Sequence, residues 1–402
     1  MEEVLKKRNI QDDYVGEIET TPEEYFNVKK RLLKDKYICR YMEIPAEVKT
    51  SYYTSKDIEE FVPDSLRKEI SSMSPATTRV RILTDQKDVH YINELDLVFT
   101  VTFERENKHI TAFLIDVDDI LKEITTEIGG QRMDKIHVEE DIETSIHINN
   151  LLFKGSSMLS TRDKDNDTTV VKTIVVPLTM APFYSQNLLR IKDVVQDIII
   201  STRYQNPMMI YNDQMDARNK WVRVNAKCSI DVKLYGNVYT VDERLLIRTP
   251  SYNMATYQYQ YTGKETVVNG SNTFRLNFNH PTHLLYFWGL DKKYVSNVKL
   301  VIDGVEYFNG HPDILESNKY KMFSRQPGLP PPSFYNVYML FFSDLNFFTL
   351  DNQRKTINFS CVDKCELIID TSTPINETIY IIGVSSQSLL YMSNMFGMKY
   401  SK

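Results

Sequence analysis

Side chains able to do chemistry are thinly spread along this chain. Of its 7 histidines, only His280 and His283 lie close together, on either side of Pro281. Two imidazoles at that spacing could start a metal site, but a cupin-type site needs clustered ligands. His90, His109, His137, His147 and His311 are dispersed in sequence, so replacing His280 or His283 by Ala is expected to cost little beyond a hydrogen bond, about 0.5–1.5 kcal/mol. Cys361 and Cys365 are followed by no second Cys or His pair, which a zinc site would need. Asp163-Lys-Asp165-Asn-Asp167 alternates acids as a calcium loop does. It lacks the Gly and the final Glu of that loop, so it reads as a solvated connection between strands. Ile128-Gly129-Gly130-Gln131 lacks the Gly-Lys-Ser/Thr ending of a phosphate loop and reads as a turn or bent strand. Tyr252, Tyr257, Tyr259 and Tyr261 could stack on bases, but nothing basic is interleaved, so a strand with tyrosines on one face is expected. With no Gly-x-Ser-x-Gly elbow either, the residues predict no catalytic, cofactor or metal site, and no enzyme.

The elements that would position these residues are strands. A chain of 402 residues with 42% hydrophobic and 25% charged residues is globular and fits two domains. Its 25 Tyr and 19 Phe favour strands. A net charge of -6 gives no electrostatic ground for direct, specific nucleic-acid binding. Four scattered cysteines, a charged N-terminus and the absence of a long apolar run point to a soluble protein made in a reducing compartment.

Residues 1–48 read as an arm: Thr21-Pro22-Glu23-Glu24 starts a helix whose stripe is Tyr25, Val28 and Leu32. The stripe suits packing on its own domain or reaching a neighbour. Strands follow at Arg79–Leu83 and Leu95–Phe103, with a hairpin turn at Glu106-Asn107-Lys108 and a return strand at Ile110–Ile115. Asp116–Glu127 suits either a helix face or a strand. Further strands are expected at Val170–Val176, Val194–Thr202, Trp221–Val224 and Cys228–Tyr239. Phe274, Leu276 and Phe278 alternate with polar residues, Pro281 breaks the ladder, and Leu284–Trp288 reads as a strand buried on both faces. After it come Val298–Ile302, a turn at Asp303-Gly304, a loop at Gly328–Ser333, and strands at Tyr338–Phe342, Ile357–Phe359, Cys365–Asp370 and Thr378–Val384.

Several of these segments, in this order, resemble the major capsid proteins of nucleocytoplasmic large DNA viruses. Ile128-Gly129-Gly130-Gln131 with Met133-Asp134 is similar to a strand of that family's first jelly roll. Val176-Pro177-Leu178 with Pro182-Phe183-Tyr184, and Leu234–Arg244, are similar to later parts of it. Arg275–Trp288, with its Asn279-His280-Pro281 corner, resembles the start of the second roll. Tyr335–Tyr338, Asn358-Phe359-Ser360 with Asp363, and Asn394–Tyr400 resemble three of its later segments. The chain departs from the pattern at Asn352–Thr356, where Pro-Ser-Gly is usual, and lacks the family's Leu-Ile-Glu-Gln after Glu243-Arg244. These departures bear on which paralogue it is.

The resemblance implies an all-β fold of two consecutive eight-stranded jelly rolls behind a short N-terminal helical arm: arm 1–48, first roll 49–243, second roll 244–402. It implies a structural protein of a virion, assembled in host cytoplasm, whose homotrimers form pseudo-hexagonal capsomers of an icosahedral shell. Partners would be neighbouring capsomers and minor capsid and penton proteins, with contact to an internal membrane at most indirect. Alternatives are a minor capsid or scaffolding protein with the same double fold, or a jelly-roll sugar-binding or cupin-like metal protein. Asn166, Asn269, Asn358 and Asn376 begin glycosylation sequons. The cysteine usage argues against a luminal route, so none is expected to carry a glycan, and a mass shift removed by an endoglycosidase would show otherwise.

Overall fold

The computed structural model describes residues 37–52, 75–104, 117–137, 142–152, 159–165, 169–184, 187–205, 209–215, 221–225, 228–241, 246, 251–317, 337–342 and 356–399. The expected helix at Thr21, the Glu106–Lys108 turn with its return strand, and the Gly328–Ser333 loop lie outside these residues. The chain forms two compact units, Met1–Met254 with Leu390–Gly397, and Ala255–Leu389 with Met398–Lys402.

The first unit holds β1 (Ile38–Glu43), β2 (Ala46–Tyr52), β3 (Pro75–Ile82), β4 (Tyr91–Glu104), β5 (Leu121–Ile128), β6 (Gln131–His137), β7 (Ser160–Asp165), β8 (Thr169–Pro177), β9 (Leu189–Arg190), β10 (Ile198–Tyr204), β11 (Met209–Met215), β12 (Trp221–Asn225) and β13 (Cys228–Thr240). One sheet runs β1-β13-β4-β8-β7 and a second β2-β3-β10-β5-β6, while β11 and β12 pair in a two-stranded sheet of their own. Numbered by chain order, eight of these strands (β1, β3, β4, β5, β6, β8, β10 and β13) pair in nested fashion. First pairs with last, β1 with β13; then β3 with β10, β4 with β8, and β5 with β6. The ladders β13·β4 and β10·β5 join these pairs into sheets. A long hairpin rolled up on itself gives this order, the jelly roll.

Alternation of apolar and polar residues sets which face goes inward. Leu97, Phe99, Val101 and Phe103 of β4 are buried, as are Ile230, Val232 and Leu234 of β13. Phe99 meets Tyr204 of the facing sheet edge to face at 6.3 Å, and the Tyr204 hydroxyl donates to Thr78 Oγ1 at 2.7 Å. Strand begins at Ile38, inside the stretch read from sequence as arm, because β1 pairs with the edge of β13. Asp163–Asp165 is not a loop. It belongs to β7, which pairs with β8 at the end of the sheet among the described residues. The strand expected from Val194 starts at Ile198, after a turn in which Asp193 has φ 64°. Asp116–Glu127 contains both alternatives: the helical turn α1 (Val117–Ile120), then β5. The helix α2 (Ile142–Leu152) was not foreseen; it buries Ile142, Ile146 and Leu152, and Asp118 accepts from the Glu143 N–H at 2.9 Å.

The second unit contains most of β14 (Ser251–Arg275) and β20 (Cys365–Met392), with β15 (Pro281–Trp288), β16 (Val295–Ile302), β17 (Val305–Gly310), β18 (Tyr338–Phe341) and β19 (Ile357–Asn358); β21 (Met395–Lys399) closes the chain. All belong to one sheet, because β14 and β20 each run unbroken through two strand positions. The early part of β20 pairs with β16 and the later part with β15. With β15·β18 and β16·β17, the nested order of the first unit recurs. Burial along β14 changes phase at Thr256/Tyr257, so Tyr252 faces opposite to Tyr257 and Tyr259. The expectation of tyrosines on one face therefore holds only from Tyr257 on.

Strand β15 is buried on both faces, as its lack of charge predicts. Leu285 and Phe287 join the core cluster of this unit. Trp288 lies on the opposite face, stacked on Tyr286 at 5.8 Å and tilted against Tyr380 at 5.3 Å. The next residue, Gly289, has φ 99°, and a Cβ there would run into the Thr378 carbonyl oxygen. Trp288→Ala should cost about 3–5 kcal/mol in urea unfolding, as loss of a large buried side chain does. Gly289→Ala, which removes no packing, should still cost more than about 1 kcal/mol.

Candidate functional site

Two joints, one in each unit, gather polar side chains around motifs that the sequence singled out. In the second unit the joint is the corner between β14 and β15. His280 takes φ 66°, which swings the chain into Pro281, and Pro281 needs no ladder donor where it pairs with Asn358. The His280 N–H donates to Ser360 Oγ at 2.9 Å, and the Phe359 N–H donates to the His280 carbonyl at 3.1 Å. Phe278 meets Phe359 edge to face at 5.5 Å. The Asn-His-Pro and Asn-Phe-Ser motifs, far apart in sequence, are thus two halves of one corner.

A buried polar seam continues from it. Gln260 accepts from the Asn279 N–H at 2.6 Å and donates to Ser385 Oγ at 2.6 Å. Ser385 Oγ also lies 2.8 Å from Thr282 Oγ1. His283 is buried, hydrogen-bonded through Nε2 to Ser386 Oγ, with its ring edge-on to Tyr257 at 5.6 Å. Burial pushes its pKa down to about 4. Such an imidazole is neutral and engaged in the core, and His283→Ala would leave the buried Ser386 hydroxyl without this partner. Gln260, Ser385 and Ser386 carried no signal except polarity inside otherwise apolar strands.

In the first unit the joint is the side chain of Gln196. Its Nε2 donates to the Phe396 carbonyl at 3.1 Å, and its Oε1 accepts from the Phe396 N–H at 2.5 Å. The amide thus acts as one extra rung of ladder for the chain's last hairpin. That hairpin turns through Ser393 and Asn394, with φ 51° and 63°, and the Asn394 carbonyl accepts from the Val195 N–H at 3.1 Å. Behind Gln196 lies Gly129, at φ 56°, where any Cβ would collide with the Gln196 amide. The Ile-Gly-Gly-Gln motif and the Asn394–Phe396 segment therefore meet through a residue that sequence reading passed over. Arg190, also passed over, braces the same hairpin. It is buried, lies 5.1 Å from the centre of the Tyr391 ring, and donates from Nη1 to the Leu246 carbonyl at 3.0 Å.

Among the described residues, no group of three His, Cys, Asp or Glu side chains is placed to hold a metal ion. His280 and His283 differ in surroundings, the first half-buried at the corner and the second deep in the seam. Cys361 is exposed while Cys365 is buried, its thiol pushed up to about 12 by burial. Among the described residues no helix is long and apolar enough to cross a membrane. The sequons divide as well: Asn269 and Asn376 are exposed, and Asn358 caps a short turn by accepting from the Ser360 N–H at 3.2 Å.

Comparison with known proteins gives a fold and no close relative. No family model and no curated protein matches the sequence. Among solved structures, the chain is similar to VP54 of the virus PBCV-1, fitted into a reconstruction of the virophage Sputnik. The TM-score is 0.61 at 14% identity, over 91% of this chain and 97% of that one. It is similar to the Faustovirus major capsid protein with a TM-score of 0.52 at 9% identity, over 96% and 93% of the two chains. It is also similar to the Sputnik virophage structure, with a TM-score of 0.50 at 9% identity, over 97% and 91%. At such identities the likeness is one of fold. The chain is a double jelly roll.

His283 makes the corner testable by pH. The unfolded chain binds a proton at this imidazole below about 6.5, and the folded chain only below about 4. The unfolded state holds more protons between those values, so stability is lost as pH falls through that window, by about 3 kcal/mol. His283→Gln should flatten the fall in urea midpoint between pH 6.5 and 4. Parallel losses in the two proteins would show that the acid sensitivity arises elsewhere.

Proposed function

We propose that this chain is a structural protein of a viral shell, the major capsid protein of a large double-stranded DNA virus, and not an enzyme. One observation carries this reading: both units have the same nested strand order, and the likeness to VP54 runs over 91% of this chain and 97% of that one. Little of either chain is left to form a catalytic domain beside the two rolls.

The physical logic follows from duplication. Two similar blocks in one chain let three copies around a three-fold axis present six blocks, a nearly hexagonal tile. Such tiles cover a surface edge to edge, with larger contacts within each trimer and smaller, more polar ones between trimers. The partners are then further copies of the chain, joined by minor capsid and penton proteins at the edges and vertices. The setting is the virion, built in host cytoplasm, with any internal membrane touched only indirectly. The polar corners suit this role: they fix the strand geometry of a block without offering a substrate cleft. The division between the two rolls at 244 belongs to the same proposal, with the first roll taken to begin at β1, Ile38, rather than at 49.

Light scattering on the purified chain at micromolar concentration tests this. The expected mass is that of a trimer, and a stable monomer or dimer would count against the capsomer.

A further inference from the structure

The outward face of the β7-β8-β4-β13 sheet is laid out like an interface. In register across β4 and β8 lie Val98 and Val175, Thr100 and Thr173, and Thr102 and Val171. All are partly exposed and none is charged. The flanking strands carry the charge: Asp231 and Lys233 stand opposite Thr100 and Val98 on β13, and Arg162 and Lys164 opposite Thr173 and Val171 on β7. An uncharged centre between charged columns is the layout of a docking surface, whose middle is depleted in charge and whose rim is polar. Strands about 4.8 Å apart and levels about 6.8 Å apart make this uncharged patch roughly 200 Å². A stable interface takes about 800 Å² from each partner, so the patch can be its centre.

We propose that a second copy of this chain docks on this face through its β17 edge. The proposal rests on the shell reading above and names the surfaces that would join the copies. Among the described residues strand β17 ends its sheet with no strand on its outer edge, and it exposes Val305 at 69% and Tyr307 at 49%. Asp303-Gly304, both with positive φ, forms the turn that presents Val305. The charges are complementary. The face carries Arg162, Lys164 and Lys233 against Asp231 and Glu43, the last ion-paired with Lys233 at 3.2 Å, whereas the tip of the β16–β17 hairpin gathers Asp303, Glu306, Asp363 and Glu366 around Lys299 and Lys364. One side is therefore net positive and the other net negative. Two different surfaces on each copy make the contact heterologous, and a heterologous contact that closes on itself builds a ring.

The test uses the full chain, with light scattering for mass and thermal unfolding as the control for folding. Thr100→Arg places a charge in the uncharged centre, and Val305→Glu places one at the edge. Each should weaken association at least about 100-fold, giving monomers with an unchanged melting profile. An equimolar mixture of the two should form dimers and stop there, because one intact face then meets one intact edge. Wild-type mass persisting in Thr100→Arg would overturn the proposed face while leaving the shell reading standing. A wild-type chain that stays monomeric would overturn both. If the mixture stays monomeric, β17 is not the counterpart and the proposal fails. Should Thr100→Arg not fold, Thr173→Arg takes its place on the same face. If neither folds, the face is covered within its own chain, which also overturns the proposal.

Discussion

In each unit the ladder between the third strand of the roll and the last carries the rest. In the first unit it joins β4 to β13, from Cys228↔Phe103 to Tyr239↔Tyr91; in the second, β15 pairs with the later part of β20. These strands are far apart in sequence, so closing the loop between them is costly in entropy before any contact offsets it. Once formed, the ladder aligns two apolar faces and leaves an edge on either side. The first and sixth strands of the roll, β1 and β8 in the first unit, complete the sheet on those edges. One long-range pairing thus decides the register of the sheet around it.

Corners are where such a roll is at risk, because the chain leaves one ladder before joining the next and buried N–H and C=O groups need partners. Both joints meet this need with side-chain amides and hydroxyls. Gln196 serves as a rung for Phe396, and Gln260 with Ser385 ties down the carbonyl and amide of Asn279. Positive φ at His280, Asn394 and Gly129 makes the sharp changes of direction. At these two joints the polar side chains serve the architecture.

Sequence alone established the strand-rich class. The period-2 runs at Leu95–Phe103 and Val170–Val176, the uncharged run at Leu284–Trp288 and the Asp303-Gly304 turn are local signals, and each became the element expected. They are legible because alternation and turn chemistry act between neighbours in the chain. The resemblance to a capsid family likewise rested on short motifs read in order, which preserves the succession of strands.

Tertiary structure decided what depends on partners distant in sequence. That the charged Asp163–Asp165 stretch is a strand follows only from β8 beside it, and that Ile38 begins a strand follows from the open edge of β13. The phase change at Thr256/Tyr257 arises where β14 passes on from Met254, the last residue of the first unit there, which no local period announces. The placing of His283 in a buried seam, and of Gln196 between Gly129 and Phe396, depends on which strands are brought together. A sequence records side-chain alternation along one strand. Only the register between strands sets Thr100 beside Thr173 and turns isolated uncharged residues into a surface.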